Sequence, residues 1–353
     1  MKDINLLLLS GDGVGPEIME SAIYLLEKIK AKFKIKFNLM EGFIGGASIE
    51  VHGLPITKET LNQASQADSI LFGAVGGPQW DSLPPNEKPE KGLLDLRSTL
   101  GLFANLRPAV LFNSSLEASS LKPEVIQDLD MLIVRELTGG IYFGEPREKN
   151  SSSAFNTMIY ERHEIERIAR VAFDSASLRN KRVCSVDKSN VLEVSEFWRE
   201  VVIDVSKDYP EIELSHLLVD NAAMQLVKNP KQFDVILSSN LFGDILSDIS
   251  AMLTGSIGML PSASLDKEKK GLYEPVHGSA PDIAGQGIVN PIAMILSVGM
   301  MFKYSLNLSE VSEHINNAVS NTLENGFATK DIADKDSKIC STEELTEIII
   351  DYV

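Results

Sequence analysis

The chain has 353 residues, 44% of them hydrophobic and 24% charged, with a formal net charge of −17. That length suits about two domains with a sizeable core, and the acidic balance argues against a nucleic-acid partner, because a polyanion would be repelled rather than held by counterion release. Two cysteines, Cys184 and Cys340, make no disulfide framework or zinc signature, and the apolar runs at 6–9 and 292–302 are too short for a signal peptide or a bilayer span, so a cytoplasmic protein with no membrane partner is expected.

In chain order, residues 4–10, 69–73, 129–136, 181–186, 215–219 and 233–238 read as strands separated by helix-period segments. Such alternation points to an α/β protein with a large, mostly parallel central sheet covered on both faces, whose functional residues gather at the strands' C-terminal ends. The polar tract 145–153 reads as a loop or the tip of a projecting hairpin. After the first strand comes Gly11-Asp12-Gly13-Val14-Gly15-Pro16-Glu17, spaced G-x-G-x-G rather than G-x-G-x-x-G. It fits a tight turn as well as a dinucleotide contact, and no Rossmann domain is inferred from it.

Four polar residues stand where strands end: Arg135, Lys188, Asp220 and Asn240. Together they suggest one shared site, although Asp220 alone could cap a helix over 221–228, and a single lysine or arginine is most often a surface charge. The segment after Asn240 reads as a helix bearing Asp244 and Asp248. Four residues apart, they share a face at about 6 Å and repel unless a cation lies between them, which suggests a hard-metal site. The plainer alternative buries the stripe Leu241, Phe242, Ile245, Leu246, Ile249, Met252 and Leu253, leaving the aspartates solvated and Asp244 in the first turn beside the helix dipole.

Longer runs add to these. They are Gly92-Leu93-Leu94-Asp95-Leu96-Arg97, the segments 102–108, 134–144 and 185–192, the aspartate helix, and the segment 274–285, which opens Glu274-Pro275-Val276-His277-Gly278-Ser279-Ala280-Pro281-Asp282. With the first glycine loop they resemble the β-decarboxylating dehydrogenases of 2-hydroxy acids, the isocitrate/isopropylmalate dehydrogenase family, and within it the isopropylmalate branch. The resemblance implies that family's two-domain fold. A discontinuous cofactor-binding domain would comprise 1–102 plus 256–353, and a second domain, 103–255, would hold substrate and metal residues and the dimer interface.

The resemblance also assigns roles that suit the residue types. Arg97, Arg107 and Arg135 would clamp substrate carboxylates, as planar forked donors do well. Asp220, Asp244 and Asp248 would bind Mg²⁺ or Mn²⁺, and Asp220 would touch substrate as well. Lys188, at a helix N-terminus, would be the base, and Tyr142 would return a proton to the enolate carbon. Lys188 and Asp220 would reach into the neighbouring subunit's site, making a homodimer with shared sites. Leu93 and Leu94 would offer apolar surface to an isopropyl group and leave a third carboxylate unpaired. Val14, Glu90, Glu274, His277, Gly278, Ser279, Ala280 and Asn290 would line the cofactor site, where the Asp282 carboxylate suits the ribose hydroxyls of NAD and repels a 2′-phosphate. Sister enzymes acting on tartrate, D-malate or homoisocitrate, and a non-catalytic regulatory subunit, remain the alternatives.

Overall fold

All six strands expected from the sequence form, as Ile4–Gly11, Ser69–Ala74, Asp130–Glu136, Arg182–Asp187, Glu213–Leu218 and Val235–Ser238. The computed structural model describes residues 3–353. These fall into two compact units. One comprises the chain up to Leu102 with Phe112–Ser119 and Thr254–Val353, the other Phe103–Leu111 with Ser120–Leu253.

In the first unit five strands lie in the order Phe37–Glu41, Ile4–Gly11, Ser69–Ala74, Gly271–Pro275 and Pro261–Leu265, parallel except for the last pair. Leu6, Leu7, Leu8 and Leu9 are all buried, so this strand is an unbroken apolar run with both faces covered. Helix Ile292–Tyr304 is buried from Ile292 to Phe302, which explains its apolar sequence. Among the described residues no helix is long and apolar enough to cross a membrane.

In the second unit the order is Ala104–Val110, Asp130–Glu136, Val235–Ser238, Arg182–Asp187 and Glu213–Leu218, with only the first pair antiparallel. The α/β class and the mostly parallel pairing are therefore as expected. Glu148–Lys149 and Ala154–Phe155 pair as a small antiparallel hairpin in the polar tract.

Three local expectations are corrected. Asp220 is the second residue of helix Val219–Lys228 rather than its cap. Lys188 lies in the turn directly after its strand, five residues ahead of helix Glu193–Ser206, and so is not at a helix N-terminus. The aspartate helix is Asn240–Leu253, which puts Asp244 beyond the first turn. Its buried face is built from Asn240, Gly243, Leu246, Ser247, Ser250, Ala251 and Leu253, while Ile245 and Met252 are 48% and 55% exposed. Close approach sets this face. A Cβ on Gly243 would come within 2.8 Å of the Arg135 side chain, so small residues must face that strand.

The first glycine loop closes on the segment after the strand Gly271–Pro275. Val14 is fully buried, and its backbone N–H donates to the Ser279 carbonyl at 2.8 Å. Gly13 has φ +58°, and a Cβ there would stand 2.0 Å from the same oxygen. Both the left-handed backbone and the clash oppose a side chain. Gly13→Ala should therefore cost at least about 2 kcal/mol of stability, read as a lower denaturant midpoint at unchanged m-value.

Candidate active site

In the second unit the expected site residues converge on Asp244. Its carboxylate takes Arg135 Nη1, Arg107 Nη1 at 3.5 Å and the Tyr142 hydroxyl at 2.9 Å. Arg135 is the penultimate residue of Asp130–Glu136, Arg107 sits in the antiparallel partner strand, and Tyr142 ends the short 3₁₀ turn Gly140–Tyr142. Both arginine side chains are almost fully buried, at 4% and 9% exposure, and held on further acceptors. Arg107 donates to Asn105 Oδ1 at 2.8 Å and Ser247 Oγ at 2.6 Å; Arg135 donates to Asn240 Oδ1. Buried guanidinium groups need anionic or polar partners, and here Asp244, Asn105, Ser247 and Asn240 supply them and fix both heads in place.

Asp248 is more exposed and lies 3.7 Å from Arg107 Nη1. Burial raises its pKa, Arg107 opposes that, and the charge on Asp244 adds to it, as expected for a carboxylate pair on one helix face. Burial, followed by the charge and hydrogen bond of Asp244, also raises the Tyr142 phenol. Tyr142 is thus protonated throughout the neutral range, the state a proton donor needs.

Lys188 and Asp220 form a separate pair, with Lys188 Nζ donating to Asp220 Oδ1 at 2.8 Å. This bond holds the exposed Asp220 carboxyl below its ordinary value. Asp220 is not brought together with Asp244 and Asp248. Among the described residues no three His, Cys, Asp or Glu side chains form a group able to hold a metal ion.

In the first unit Glu90, Leu94 and Arg97 recur at one-turn and two-turn spacing on helix Pro89–Leu100. Leu93 packs partly against the core cluster that includes Leu7, Ile44 and Leu96. Lys91 pairs with Asp95. Arg97 meets Glu274 at 2.7 Å, while its Nε is buried with no hydrogen-bond partner.

The expected cofactor loop has similar features. His277 Nε2 is buried and unpartnered, whereas Nδ1 lies 2.9 Å from the Gly278 carbonyl. Ala280 takes φ +38°, Ser279 is buried and Asp282 is exposed. Side chains at Gly278, Gly285 or Gly287 would meet nothing within 4 Å, so the loop borders open space. Asn290 is occupied structurally, its Oδ1 accepting the Ile292 N–H and its Nδ2 donating to Asp331.

Burial lowers the His277 pKa, so the folded chain resists a proton that the unfolded chain accepts below about pH 6.5. Stability should therefore fall as pH drops from 7.5 to 5.5. Urea midpoints should show a smaller fall in His277→Gln, with the remaining histidine contribution coming from His216, which burial lowers in the same way.

Asp12, Asn105, Tyr160 and Ser247, to which the sequence assigns no role, and Asn240, expected only as a strand-exit residue of a shared site, all support these loops and arginines. Asp12 accepts the N–H groups of Gly46, Ala47 and Gly76 at 2.7–2.8 Å, so the aspartate of the glycine loop is an internal tie. Only Asn240 carried a signal, its place at a strand exit.

Residues 5–349 match the family model for isocitrate/isopropylmalate dehydrogenase. A 3-isopropylmalate dehydrogenase of Saccharophagus degradans is 57% identical over 349 residues, covering 98% of each chain. One from Pseudomonas putida is 57% identical over 350 residues, covering 98% of this chain and 97% of the relative. Among solved structures, the isocitrate dehydrogenase of Methylococcus capsulatus superposes with a TM-score of 0.87 at 34% identity over 99% of both chains. With the clamp and the strand-end residues already in place, these matches establish that the chain belongs to the isocitrate/isopropylmalate dehydrogenase family.

Proposed function

We propose that the protein catalyses the NAD-dependent oxidative decarboxylation of (2R,3S)-3-isopropylmalate to 4-methyl-2-oxopentanoate and CO₂, the dehydrogenase step of leucine biosynthesis, as a cytoplasmic homodimer. The observation that carries this reading is the convergence of Arg107, Arg135 and Tyr142 on Asp244, supported by relatives of that name at 57% identity over nearly the whole chain.

The residue types suit both groups the reaction requires, with Asp220 reaching the metal site from a second chain. Asp220, Asp244 and Asp248 are an all-oxygen donor set of the kind Mg²⁺ and Mn²⁺ prefer. The unpartnered His277 Nε2 and the open space around Gly278, Gly285 and Gly287 suit a nucleotide on that loop, and the exposed Asp282 carboxylate favours NAD over NADP. When bound, NAD⁺ supplies the hydride acceptor and the divalent cation supplies charge opposite the developing negative oxygen.

The chain's own residues do the rest. Arg107 and Arg135 fix the substrate carboxylates, with Arg97 as the third donor. Lys188 takes the 2-hydroxyl proton, and Tyr142 returns one to the carbon that loses CO₂. Leu94, with the outer part of Leu93, offers apolar surface to the branch, which disfavours the extra carboxylate of isocitrate.

Lys188 and Asp220 complete the site of a second chain. Apolar residues exposed on two helices of the second unit, Met224, Val227, Ile245 and Met252, support pairing there. Reduction of NAD⁺ with Mg²⁺ and 3-isopropylmalate, suppressed by a chelator and absent with NADP⁺, isocitrate or D-malate, is the expected assay result. Turnover confined to another acid would overturn the substrate assignment.

A further inference from the structure

We propose that Asn240 is a positioning residue that fixes the Arg135 clamp and the Tyr142 loop relative to each other; this rests on the reading above of Arg135 as anion clamp and Tyr142 as proton donor. Asn240 opens the aspartate helix directly after the strand Val235–Ser238 and is 1% exposed. Its Oδ1 accepts from Arg135 Nε at 3.1 Å and from Nη2 at 2.8 Å. Its Nδ2 donates to the carbonyls of Leu137 at 3.0 Å and Gly139 at 3.1 Å. Its backbone N–H donates to the buried Tyr160 hydroxyl at 2.9 Å.

The glycines beneath are pressed on the same tyrosine. A Cβ at Gly139 would stand 2.6 Å from the Tyr160 ring, and one at Gly140 would stand 2.5 Å from its hydroxyl. The loop that delivers Tyr142 to Asp244 is therefore seated on Tyr160 and tied by Asn240, which also grips the guanidinium from behind.

The chemistry of position 240 is restrictive. It must accept from a guanidinium and donate to two carbonyls at once, which a carboxamide can do and a carboxylate or hydroxyl cannot. It must also be neutral. An aspartate would hold Arg135 equally well in space but would be a second carboxylate on a guanidinium already paired with Asp244, offsetting the charge left for a substrate, and would face two carbonyl oxygens with no proton to give.

The test uses the full-length chain with Asn240→Asp and Asn240→Ala, each alone and with Arg135→Lys. For Asn240→Asp, kcat/KM for 3-isopropylmalate should fall about 10- to 100-fold, with most of the loss in KM for the acid and the KM for NAD⁺ held within about twofold. In the Arg135→Lys background, Asn240→Ala should raise KM for the acid less than about twofold further, because residues acting through one another are non-additive, while the fall in kcat from loosening the Tyr142 loop should persist. Should Asn240→Ala fail to unfold cooperatively, the isosteric Asn240→Asp series decides alone.

Wild-type KM in Asn240→Asp, or equal rises in KM for the acid from Asn240→Ala in both backgrounds, would overturn the positioning role while leaving the function standing. A wild-type chain that neither turns over nor binds the acid would overturn the functional reading and this proposal with it.

Discussion

Asp244→Asn is expected to lower kcat by at least about a thousandfold, the equivalent of roughly 4 kcal/mol in the barrier. Arg107, Arg135 and Tyr142 all touch the Asp244 carboxylate, and in the proposed mechanism Asp244 is also a ligand to the divalent cation. The substitution keeps the shape and one acceptor oxygen but removes the charge. A neutral amide is a poor ligand for Mg²⁺ compared with a carboxylate, and it leaves the Arg107 and Arg135 heads with less negative charge beside them. Burial remains the larger cause of the raised Tyr142 pKa, so the phenol stays protonated near neutrality and the loss cannot be assigned to its ionisation. Steady-state kinetics at rising Mg²⁺ check this, with thermal unfolding as a control. More than about a tenth of wild-type kcat at saturating metal would show that Asp244 is not a transition-state ligand. The parallel Asp248→Asn, at a more exposed position with a 3.7 Å approach to Arg107, should chiefly weaken metal affinity, by about 10- to 100-fold.

The strand exits were legible because parallel strands buried on both faces are uninterrupted apolar runs, and the first polar residue after such a run marks where the chain leaves the sheet. Arg135 follows that rule, and Asn240 and Lys188 nearly so, after Ser238-Ser239 and Asp187. The strands not legible in this way were Phe37–Glu41, Ala104–Val110, Pro261–Leu265, Gly271–Pro275 and the short pair Phe327–Ala328 and Lys338–Ile339. Ala104–Val110 carries Asn105, Arg107 and Pro108, with Arg107 held on Asn105 and Ser247, and such polar residues hide a strand from a reading based on hydrophobic runs.

The aspartate helix was misread for a related reason. Periodicity assigns the apolar side to the core, but here the side packed on Arg135 had to be small. Gly243, Ser247 and Ser250 lie inward while Ile245 and Met252 are left about half exposed. One sequence cannot distinguish an apolar face that fills its own core from one that awaits another chain. The support beneath the clamp was equally invisible. Tyr160 lies 80 residues before Asn240, and nothing local marks their hydrogen bond.

Mixing inactive Lys188→Ala and Tyr142→Phe proteins, after dissociation and reassociation, should restore activity to about a quarter of wild type. The structure motivates the experiment by dividing the proposed machinery within one chain. Tyr142 stands with Asp244, while Lys188 is paired with Asp220, and Asp220 is not gathered with the other two aspartates into a three-ligand group. If each reaction centre needs both sets, the second set comes from another copy. The apolar faces of helices Val219–Lys228 and Asn240–Leu253 offer a surface for that copy, and the first of these helices carries Asp220. In a two-fold dimer the exchange is reciprocal, so a heterodimer places both substitutions in one site and leaves the other site intact. Random pairing at equal concentrations makes half the dimers hybrid, each with one working site of two, which gives the ceiling of about 25%. Each parent alone should fall by at least about a hundredfold, because each lacks a proton-transfer group. A mixture no more active than its parents, with hybrid dimers verified by a mass tag on one partner, would confine each site to a single chain. Lys188 and Asp220 would then have to swing toward Asp244 within the protomer, a rearrangement that crosslinking Lys188 to a cysteine placed beside Tyr142 would detect.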